Sequence, residues 1–419
     1  MGKGGDKSEI PKKETVKEVL LNGVYYDISG LKHPGGSVID YYANNGIDAT
    51  QAFDNFHFRS ARAKKYLQSL PSRAADSKQV EKNLLPGQKE LLKDFEELTA
   101  SLIAEGYFKP SLSHAVYRLS EILLMHLVGG WLLLNDHIAA GILILAIAQG
   151  RCGWLMHEGG HYSLTGNITV DKYIQIVVYG VGCGMSGGWW RNQHNKHHSM
   201  PQKIGHDVDL NTLPLVAFTE KVVKKIGAFQ KGWLLLQAYL FPLITTLLVA
   251  LGWQVYLHPR YIIRTKNFAE ALMLVTRYTL WTLVFTSKFG LLKSALIYLA
   301  YDWIGANYIF INFALSHTHL DTVPKEDTQV DWVRYAADYT MNVASGPFNF
   351  VDWWMSFLNF QIEHHLYPSM PQFRQPLISK RVKALFEKHG LKYRRMSYFE
   401  AMKVTFQNLH KVGTSAFYG

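Results

Sequence analysis

The chain is poor in cysteine, with only Cys152 and Cys183, both in or near apolar segments. Two cysteines cannot form a disulfide framework, which excludes the small disulfide-stapled secreted domains. No N-terminal signal peptide is visible, and the polar, charged start predicts a disordered cytosolic tail over residues 1–14. The Met-Gly opening lacks the Ser or Thr that N-myristoylation prefers, so lipidation is not expected. The sequence also shows no internal repeats.

Aromatic residues and positive charge are plentiful. Hydrophobic residues reach 48% and aromatic residues 13%, and the net charge is +11. An excess of Trp and Tyr is typical of proteins with membrane interfaces to line. No basic patch carries a nucleic-acid reader motif, so no nucleic-acid partner is expected. A membrane surface with anionic cytosolic lipids explains the charge better.

Residues 15–75 carry two histidines that suit a flat cofactor. LLNGVYYDI predicts a strand, an Asn-Gly turn and a second strand. His33 opens the motif HPGG, and His57 follows DATQAF, 24 residues later. Two histidines can clamp a haem iron from both sides, which suits electron transfer rather than oxygen binding; the alternative is two unrelated turn and surface histidines. The motifs and their spacing closely resemble a cytochrome b5 domain, and this resemblance implies haem b with His33 and His57 as axial ligands.

A polar connector follows over residues 76–111. Pro86-Gly87 breaks it, and apolar residues at helical spacing then predict an amphipathic helix from Gln88 to Ala104. This helix could lie on the membrane surface, pack against the core or serve as a soluble linker.

Six apolar runs follow, near residues 116–135, 138–156, 172–190, 234–257, 268–287 and 291–315. Spanning a membrane takes about twenty apolar residues. The first two runs and the last two predict helical hairpins. The histidine motifs must lie on the same side of the membrane if they build one site. The run 172–190, which joins two of them, is therefore predicted not to cross but to be interfacial or partly buried. The run 234–257 holds Pro242 and precedes the basic stretch RYIIRTK. It is predicted to enter the membrane and return to the same side without crossing. Four crossings then leave both termini and all histidine motifs cytosolic.

Three histidine motifs lie beside these runs, and we call them boxes 1, 2 and 3: HEGGH (157–161), HNKHH (194–198) and QIEHH (361–365). Spacings of three and four place the histidines of boxes 1 and 2 on single helix faces. One such box is usually structural, but three predict a shared metal site. His317 closes the last apolar run and is a candidate ligand, whereas His319 is a weaker one. His206, Asp207 and Asp209 are predicted to orient ligating imidazoles rather than to bind metal directly.

This arrangement predicts oxidative chemistry on a lipid. Two irons held by neutral nitrogen can use O₂ to remove hydrogen from an unactivated C–H bond, which acid–base side chains cannot do. Such chemistry consumes electrons, and a tethered haem module would supply them at high effective concentration. Imidazole ligands alone do not choose iron over zinc, so a zinc site is an alternative.

The chain, from about residue 19 to residue 410, resembles the cytochrome b5-fused front-end desaturases of the membrane fatty acid desaturase family. The marks are HPGG, HEGGH, HNKHH, and Gln361 where relatives served by soluble cytochrome b5 carry His. Residues 112–410 would then form the desaturase domain and 411–419 a tail. The resemblance implies O₂ as co-substrate, electrons from NADH through cytochrome b5 reductase, an acyl-CoA or phospholipid substrate, and a multi-pass location in the endoplasmic reticulum membrane. It implies that Gln361 is a weak ligand or a supporting group and that eight histidines hold iron: His157, His161, His194, His197, His198, His317, His364 and His365.

The expected fold is an α+β cytochrome b5-like domain followed by an all-α membrane domain with four transmembrane helices and a cytosolic histidine-rich di-iron cap. Stretches such as GRCGWLMHEGGHYSLTG resemble algal and thraustochytrid enzymes that insert a Δ5 double bond into C20 polyunsaturated chains, with Δ6 as the next choice and Δ4 or Δ8 also open. In box 1, Glu158 and Gly159 stand where many of these relatives carry an Asp and an aromatic or other residue. A sphingolipid desaturase or lipid hydroxylase shares the first C–H abstraction, and a membrane haem electron carrier is the alternative of another class.

Overall fold

The computed structural model describes residues 16–210, 212–223, 226–327 and 329–419. The tail predicted over 1–14 lies outside the described residues. The N-terminal part contains an antiparallel sheet in the order β1 (Glu18–Leu21), β2 (Val24–Asp27), β3 (Ser72–Ala74). Asn22 and Gly23 join β1 to β2 with φ of 50° and 70°, which an Asn-Gly turn permits. The predicted hairpin is therefore confirmed.

The remainder is helical, apart from a short parallel pair, β4 (Asn342–Val343) and β5 (Arg395–Met396). The described α-helices are α1 Thr50–Phe56, α2 Ala61–Leu67, α3 Ser77–Lys82, α4 Gln88–Ala104, α5 Leu112–Leu134, α6 Ile138–Gly160, α7 Ile168–Cys183, α8 Gly187–Ser199, α9 Ala228–Leu235, α10 Gln237–Thr246, α11 His258–Thr265, α12 Phe268–Trp281, α13 Ser287–Ala314, α14 Trp332–Tyr339, α15 Phe350–Trp354, α16 Gln361–Leu366, α17 Gln375–Lys388 and α18 Tyr398–Tyr418. Two π-helical stretches continue the helical path, Leu247–Leu257 between α10 and α11 and Thr282–Thr286 after α12.

Helix α4 has the bounds predicted for the connector helix, and it packs against the protein core. Leu91, Phe95 and Leu102 are fully buried in one hydrophobic cluster. That cluster also contains Val19 from β1 and Ile362 from box 3. Burial of these side chains supplies the hydrophobic free energy that fixes the helix. The N-terminal module and the histidine-bearing part of the chain therefore share a core.

Four helical runs are long and apolar enough to cross a membrane: Leu112–Leu134, Ile138–Gly160, Gln237–Thr265 and Phe268–Ala314. The first two match predicted crossings, the last contains both segments of the second predicted hairpin, and Gln237–Thr265 was not predicted to cross. The last run is divided at Gly290, where φ is 71° and the backbone leaves the helical region. Lys288, beside this break, donates a 3.0 Å hydrogen bond to Asp136 in the turn between α5 and α6. Both predicted hairpins therefore turn at the same end of the domain, opposite the histidines.

The stretch around Pro242 differs from its prediction. It does not dip and return, because residues 237–265 form one continuous helical run with Pro242 inside it. Its start is tied to the C-terminal helix by a 2.8 Å hydrogen bond from Gln237 to the carbonyl of Leu409. Near its end, His258 accepts a 2.8 Å hydrogen bond from the backbone N–H of Ser186, which begins box 2's helix. The run 172–190 forms most of α7 and the start of α8 and is not among the candidate spans, as predicted.

Candidate metal centre

Three helix ends and one turn bring together all eight histidines predicted as ligands. Box 1 closes α6, box 2 occupies the C-terminal half of α8, and box 3 lies on α16. His317 follows directly after α13. Ser186 caps α8 by accepting a 3.0 Å hydrogen bond from the Trp189 backbone N–H, so the helix starts where its histidines face box 1.

The eight histidines form two groups whose nitrogen atoms lie within 4.8 Å of one another in each group. The first group has five members and the second has three. Ring centroids of His198 and His365, one from each group, are 4.1 Å apart, so the groups adjoin. The first group is His157, His161, His194, His198 and His364, and the second is His197, His317 and His365.

Burial keeps most of these imidazoles neutral. It lowers the pKa of His161 to about 3 and that of His317 to about 3. The pKa values of four others are also lowered well below the usual range by burial and by neighbouring histidines: His194, His198, His364 and His365. A neutral imidazole has a free lone pair, which is the form that binds metal.

The Nδ1 atoms of four ligand candidates, His157, His197, His317 and His364, contact residues outside the boxes. His317 donates from Nδ1 to the Tyr339 carbonyl at 3.0 Å. The side-chain amide of Gln372 contacts Nδ1 of His157 at 2.9 Å, and that of Gln375 contacts Nδ1 of His364 at 3.4 Å. The His317 contact leaves the lone pair of Nε2 for a metal ion, and the two glutamines do the same when the amide oxygen, rather than the NH₂ group, faces Nδ1.

His197 has the strongest such partner. Its Nδ1 lies 3.0 Å from a carboxylate oxygen of Asp207 and 3.3 Å from one of Asp209. Burial disfavours the imidazolium, but the two carboxylates outweigh burial and raise the pKa of His197 to about 9. The structure thus places Asp207 and Asp209 behind an imidazole of the second group, as the sequence predicts.

The donor set fits metal ions. Within the described part of the chain, the buried Nε2 atoms of His161, His364 and His365 have no hydrogen-bond partner. Nε2 of His194 and Nε2 of His198 point at each other across 3.0 Å. Unpaired buried nitrogens cost free energy unless something satisfies them. Converging imidazoles at two adjoining points supply what two metal ions require, and nitrogen ligands suit iron, zinc and copper.

Three other predicted residues lie around this centre. Gln361 is buried at the start of α16, with its side chain beside His317. His206 lies away from both groups, with its ring 4.5 Å from that of Tyr41 in the N-terminal module. His319 lines a separate cavity beside α18.

The N-terminal module holds a second arrangement suited to a metal. The rings of His33 and His57 have centroids 6.0 Å apart. Burial lowers the pKa of both, that of His57 to about 4. His57 donates from Nδ1 to the Phe53 carbonyl at 3.1 Å, which leaves Nε2 free. A Cβ on Gly35 would lie 2.8 Å from the His33 ring, so this position requires glycine. The geometry fits one iron between two axial nitrogens, since metal–nitrogen bonds are about 2 Å long.

The module docks directly on the segments that carry boxes 2 and 3. A Cβ on Gly36 would lie 2.5 Å from the side-chain amide of Asn192, two residues before His194. Tyr42 donates a 3.0 Å hydrogen bond to the carbonyl of Ser199, the residue after box 2. Ser369, four residues after box 3, donates a 2.9 Å hydrogen bond to the carbonyl of Asn55. Both histidine-bearing loops of the module therefore face the metal centre's own scaffold.

Sequence reasoning missed the residues that hold Nδ1 of the ligand candidates. Gln372 and Gln375 follow box 3 within the stretch LYPSMPQFRQP, and Tyr339 ends α14. Their spacing to the histidines has no helical period, because the chain turns between them. The only available signal was the presence of two amide side chains shortly after box 3.

A multi-histidine metal centre at the end of long apolar helices defines a multi-pass membrane metalloprotein. The chain belongs to the fatty acid desaturase family, whose model matches residues 136–397, including all three boxes and His317. It is 53% identical over 407 residues to an acyl-lipid (8-3)-desaturase of Rebecca salina, covering 96% of this chain and 93% of that protein. It is 45% identical to an acyl-lipid (8-3)-desaturase of a Thraustochytrium species, covering 99% and 98%. A delta(8)-fatty-acid desaturase of Euglena gracilis is 30% identical, covering 91% and 92%.

Proposed function

We propose that this fatty acid desaturase is a front-end enzyme that inserts a cis double bond at the Δ5 position of C20 polyunsaturated acyl chains esterified in lipids. The observation that carries the proposal is the pair of adjoining histidine groups, combined with near full-length similarity to two acyl-lipid (8-3)-desaturases, a name that corresponds to Δ5. The similarity to a delta(8) enzyme at 30% identity keeps Δ8 as a second candidate.

We propose iron as the metal, with five histidines holding one ion and three holding the other. Bound iron supplies the oxidising power that takes hydrogen from an unactivated C–H bond. The residues of this chain hold the metal ligands in position and, by their burial, keep water away from the site. Gln372, Gln375, Tyr339 and Asp207 hold the imidazoles in fixed orientations through Nδ1. The side chain of Gln361 lies beside His317 and would support the second group, where only three histidines converge.

We propose that residues 15–75 bind haem b through His33 and His57 and pass electrons to the metal centre. NADH-cytochrome b5 reductase would reduce the haem, and the endoplasmic reticulum membrane would house the enzyme, with boxes and termini cytosolic. The docking of the module supports this route, because Gly36 touches Asn192 on the helix of box 2. A fixed short path favours electron transfer within one chain, without a search for a diffusing donor.

The test is fatty acid profiling of yeast that expresses the chain and receives C18 and C20 polyunsaturated acids one at a time. Mass spectrometry of derivatised products locates each double bond. A new Δ5 bond in C20 acids is the expected result, whereas a Δ6 or Δ8 product would overturn the position but keep the front-end class. A hydroxylated product, or desaturated sphingoid bases, would replace the proposed reaction.

Haem binding has a separate readout. His57→Ala is expected to remove the haem absorbance of the purified protein while leaving its non-haem iron content unchanged. His194→Ala is expected to do the reverse, with loss of non-haem iron and of product. An electron-transfer activity that survives His194→Ala but not His57→Ala, with no desaturated product from either the wild type or the variants, would indicate an electron carrier instead of a desaturase.

A further inference from the structure

The cavity beside the C-terminal helix is lined by basic residues and lies close to the metal centre. It has a volume of about 900 Å³ and runs between α10 and α18. Lys403, Gln407, His410 and Lys411 line it, and all four lie on the exposed face of α18 at helical spacing. The opposite face of α18 is buried, with Thr405 and Leu409 in the interior. The basic side chains therefore extend from a helix that is held in place by packing on its other face.

The charges in this cavity have no counter-ions from the described residues. In the part of the chain that the structure describes, no carboxylate lies within ion-pair distance of Lys403 or Lys411. At its inner side, both ring nitrogens of His319 are buried and have no hydrogen-bond partner among the described residues. Buried polar atoms of native proteins are normally satisfied, so this imidazole requires a partner from outside the chain. Two lysines and a neutral imidazole can bind an anionic group such as a phosphate.

The cavity also adjoins both the reaction site and an apolar surface. Asn408, one of its lining residues, donates a 2.8 Å hydrogen bond to the carbonyl of Thr318, which directly follows His317 of the second histidine group. On the opposite wall, Tyr239 is 71% exposed at the start of the apolar run Gln237–Thr265. Val404 and Phe406 add apolar lining. A ligand here would place a polar group on the lysines and apolar chains toward α10.

We propose that this cavity binds the phosphate-bearing head group of a phospholipid, and that it seats the acyl-lipid substrate of the proposed desaturase. Lys403 and Lys411 would contact the phosphate, and His319 would donate to an oxygen of the ester or phosphate. A soluble thioester such as an acyl-CoA also carries phosphate. The exposed apolar wall favours the lipid, whose chains enter from the membrane. The proposal rests on the proposed function, but the following experiment separates the two.

The binding test uses purified full-length protein and short-chain probes with and without a phosphocholine head group. Dihexanoylphosphatidylcholine is expected to raise the thermal unfolding temperature, and dihexanoylglycerol, which lacks the phosphate, is not. The Lys403→Gln/Lys411→Gln double variant should lose this stabilisation, because two charge-assisted contacts disappear. Lys380→Gln, on the exposed face of α17, is the matched control and should keep it.

Turnover gives the second readout. With a phospholipid-bound C20 substrate, the double variant is expected to show about a tenfold higher KM with unchanged kcat, because the lysines bind substrate without touching the reacting carbons. Equal stabilisation of wild type and double variant would overturn the site. Stabilisation by coenzyme A or inorganic phosphate, but not by the phospholipid, would overturn the lipid assignment. Lack of any desaturated product from the wild type would refute the proposed function, while the thermal shifts would still decide the site.

Discussion

Replacing Asp207 with asparagine tests whether the second histidine group depends on the carboxylate behind it. Asp207 is buried, and its two oxygens receive three contacts: Nδ1 of His197 at 3.0 Å, the Gln202 backbone N–H at 2.7 Å and the Asp209 backbone N–H at 2.9 Å. Asparagine keeps the shape but offers only one acceptor oxygen. At least one buried N–H then faces an NH₂ group.

The size of the effect follows from these contacts. A buried donor without a partner costs roughly 1–3 kcal/mol. A typical domain has about 5–15 kcal/mol of stability, so the Asp207→Asn protein should still fold. Loss of the partner on Nδ1 loosens the ring of His197 and removes the charge that favours its orientation. Removing such a partner typically costs about 10–100-fold in metal affinity or activity. The loss should fall on the second group, where only three histidines converge.

The assay is non-haem iron per protein, measured by mass spectrometry alongside conversion of the C20 substrate in yeast. Asp207→Asn is expected to lose about one of two irons and to fall about 10–100-fold in conversion. Asp209→Asn is the matched control, because the Asp209 side chain is 60% exposed and should cost far less. Two irons and normal conversion in Asp207→Asn would refute the reasoning, as would equal losses in both variants.

Three further variants probe other contacts. Gln372→Ala should lower iron content and activity about 10–100-fold, measured as above, while Gln372→Glu offers a carboxylate oxygen to an Nδ1–H of His157 and should retain more of both; equal losses would refute the orienting role. Asn192→Trp should disturb docking of the N-terminal module and slow re-oxidation of the reduced haem in stopped-flow absorbance, with haem and iron contents unchanged; a normal rate would exclude this interface as the electron path. Gly413→Ala should lower the unfolding temperature, because its Cβ would lie 2.1 Å from the Leu234 carbonyl, whereas Gly232→Ala in open space should be neutral or stabilising by up to about 1 kcal/mol; similar shifts in both would contradict the close packing.

The sequence was most informative where a local pattern decides the structure. The β1–β2 hairpin, helix α4, the two apolar helices α5 and α6 and the run Phe268–Ala314 were predictable, because Asn-Gly turns, helical periodicity and long apolar runs act over short distances. The eight histidines were predictable as one centre because three spaced boxes lie in a single chain. The domain boundaries stay predictions, although α18 runs to Tyr418 without a break where a tail was expected from residue 411.

The path of residues 237–265 and the partners of Nδ1 were not predictable in the same way. Pro242 suggested a reversal, but Thr245 and Thr246 donate to its carbonyl and the helical run continues. Gln372 reaches His157 across 215 positions in the chain, a contact fixed by tertiary packing alone. Local propensity carries no information about such contacts, since the surrounding structure overrides it.

Boxes 1 and 3 each contain a buried glutamate that hydrogen-bonds to residues around the histidines. Glu158, next to His157, is fully buried and accepts a 3.1 Å hydrogen bond from the Gln372 backbone N–H. The side chain of Gln372 in turn contacts His157. One residue of the segment after box 3 therefore contacts both Glu158 and His157 of box 1. Glu363, within box 3, accepts hydrogen bonds from Tyr393 at 2.6 Å and from Asn342 at 2.8 Å.

Glu158 thus holds a backbone segment in place and Glu363 holds two side chains, while their histidine neighbours hold the proposed metals. A buried carboxylate is costly without charged or hydrogen-bonding partners, and Glu158 has His114 at 3.3 Å and Arg118 at 3.7 Å besides the amide. Shortening Glu158 to Asp would withdraw the carboxylate from Gln372 or from Arg118, since one methylene fewer cannot reach both. Glu158 therefore contributes to the orientation of His157 through Gln372, although it is not among the candidate metal ligands.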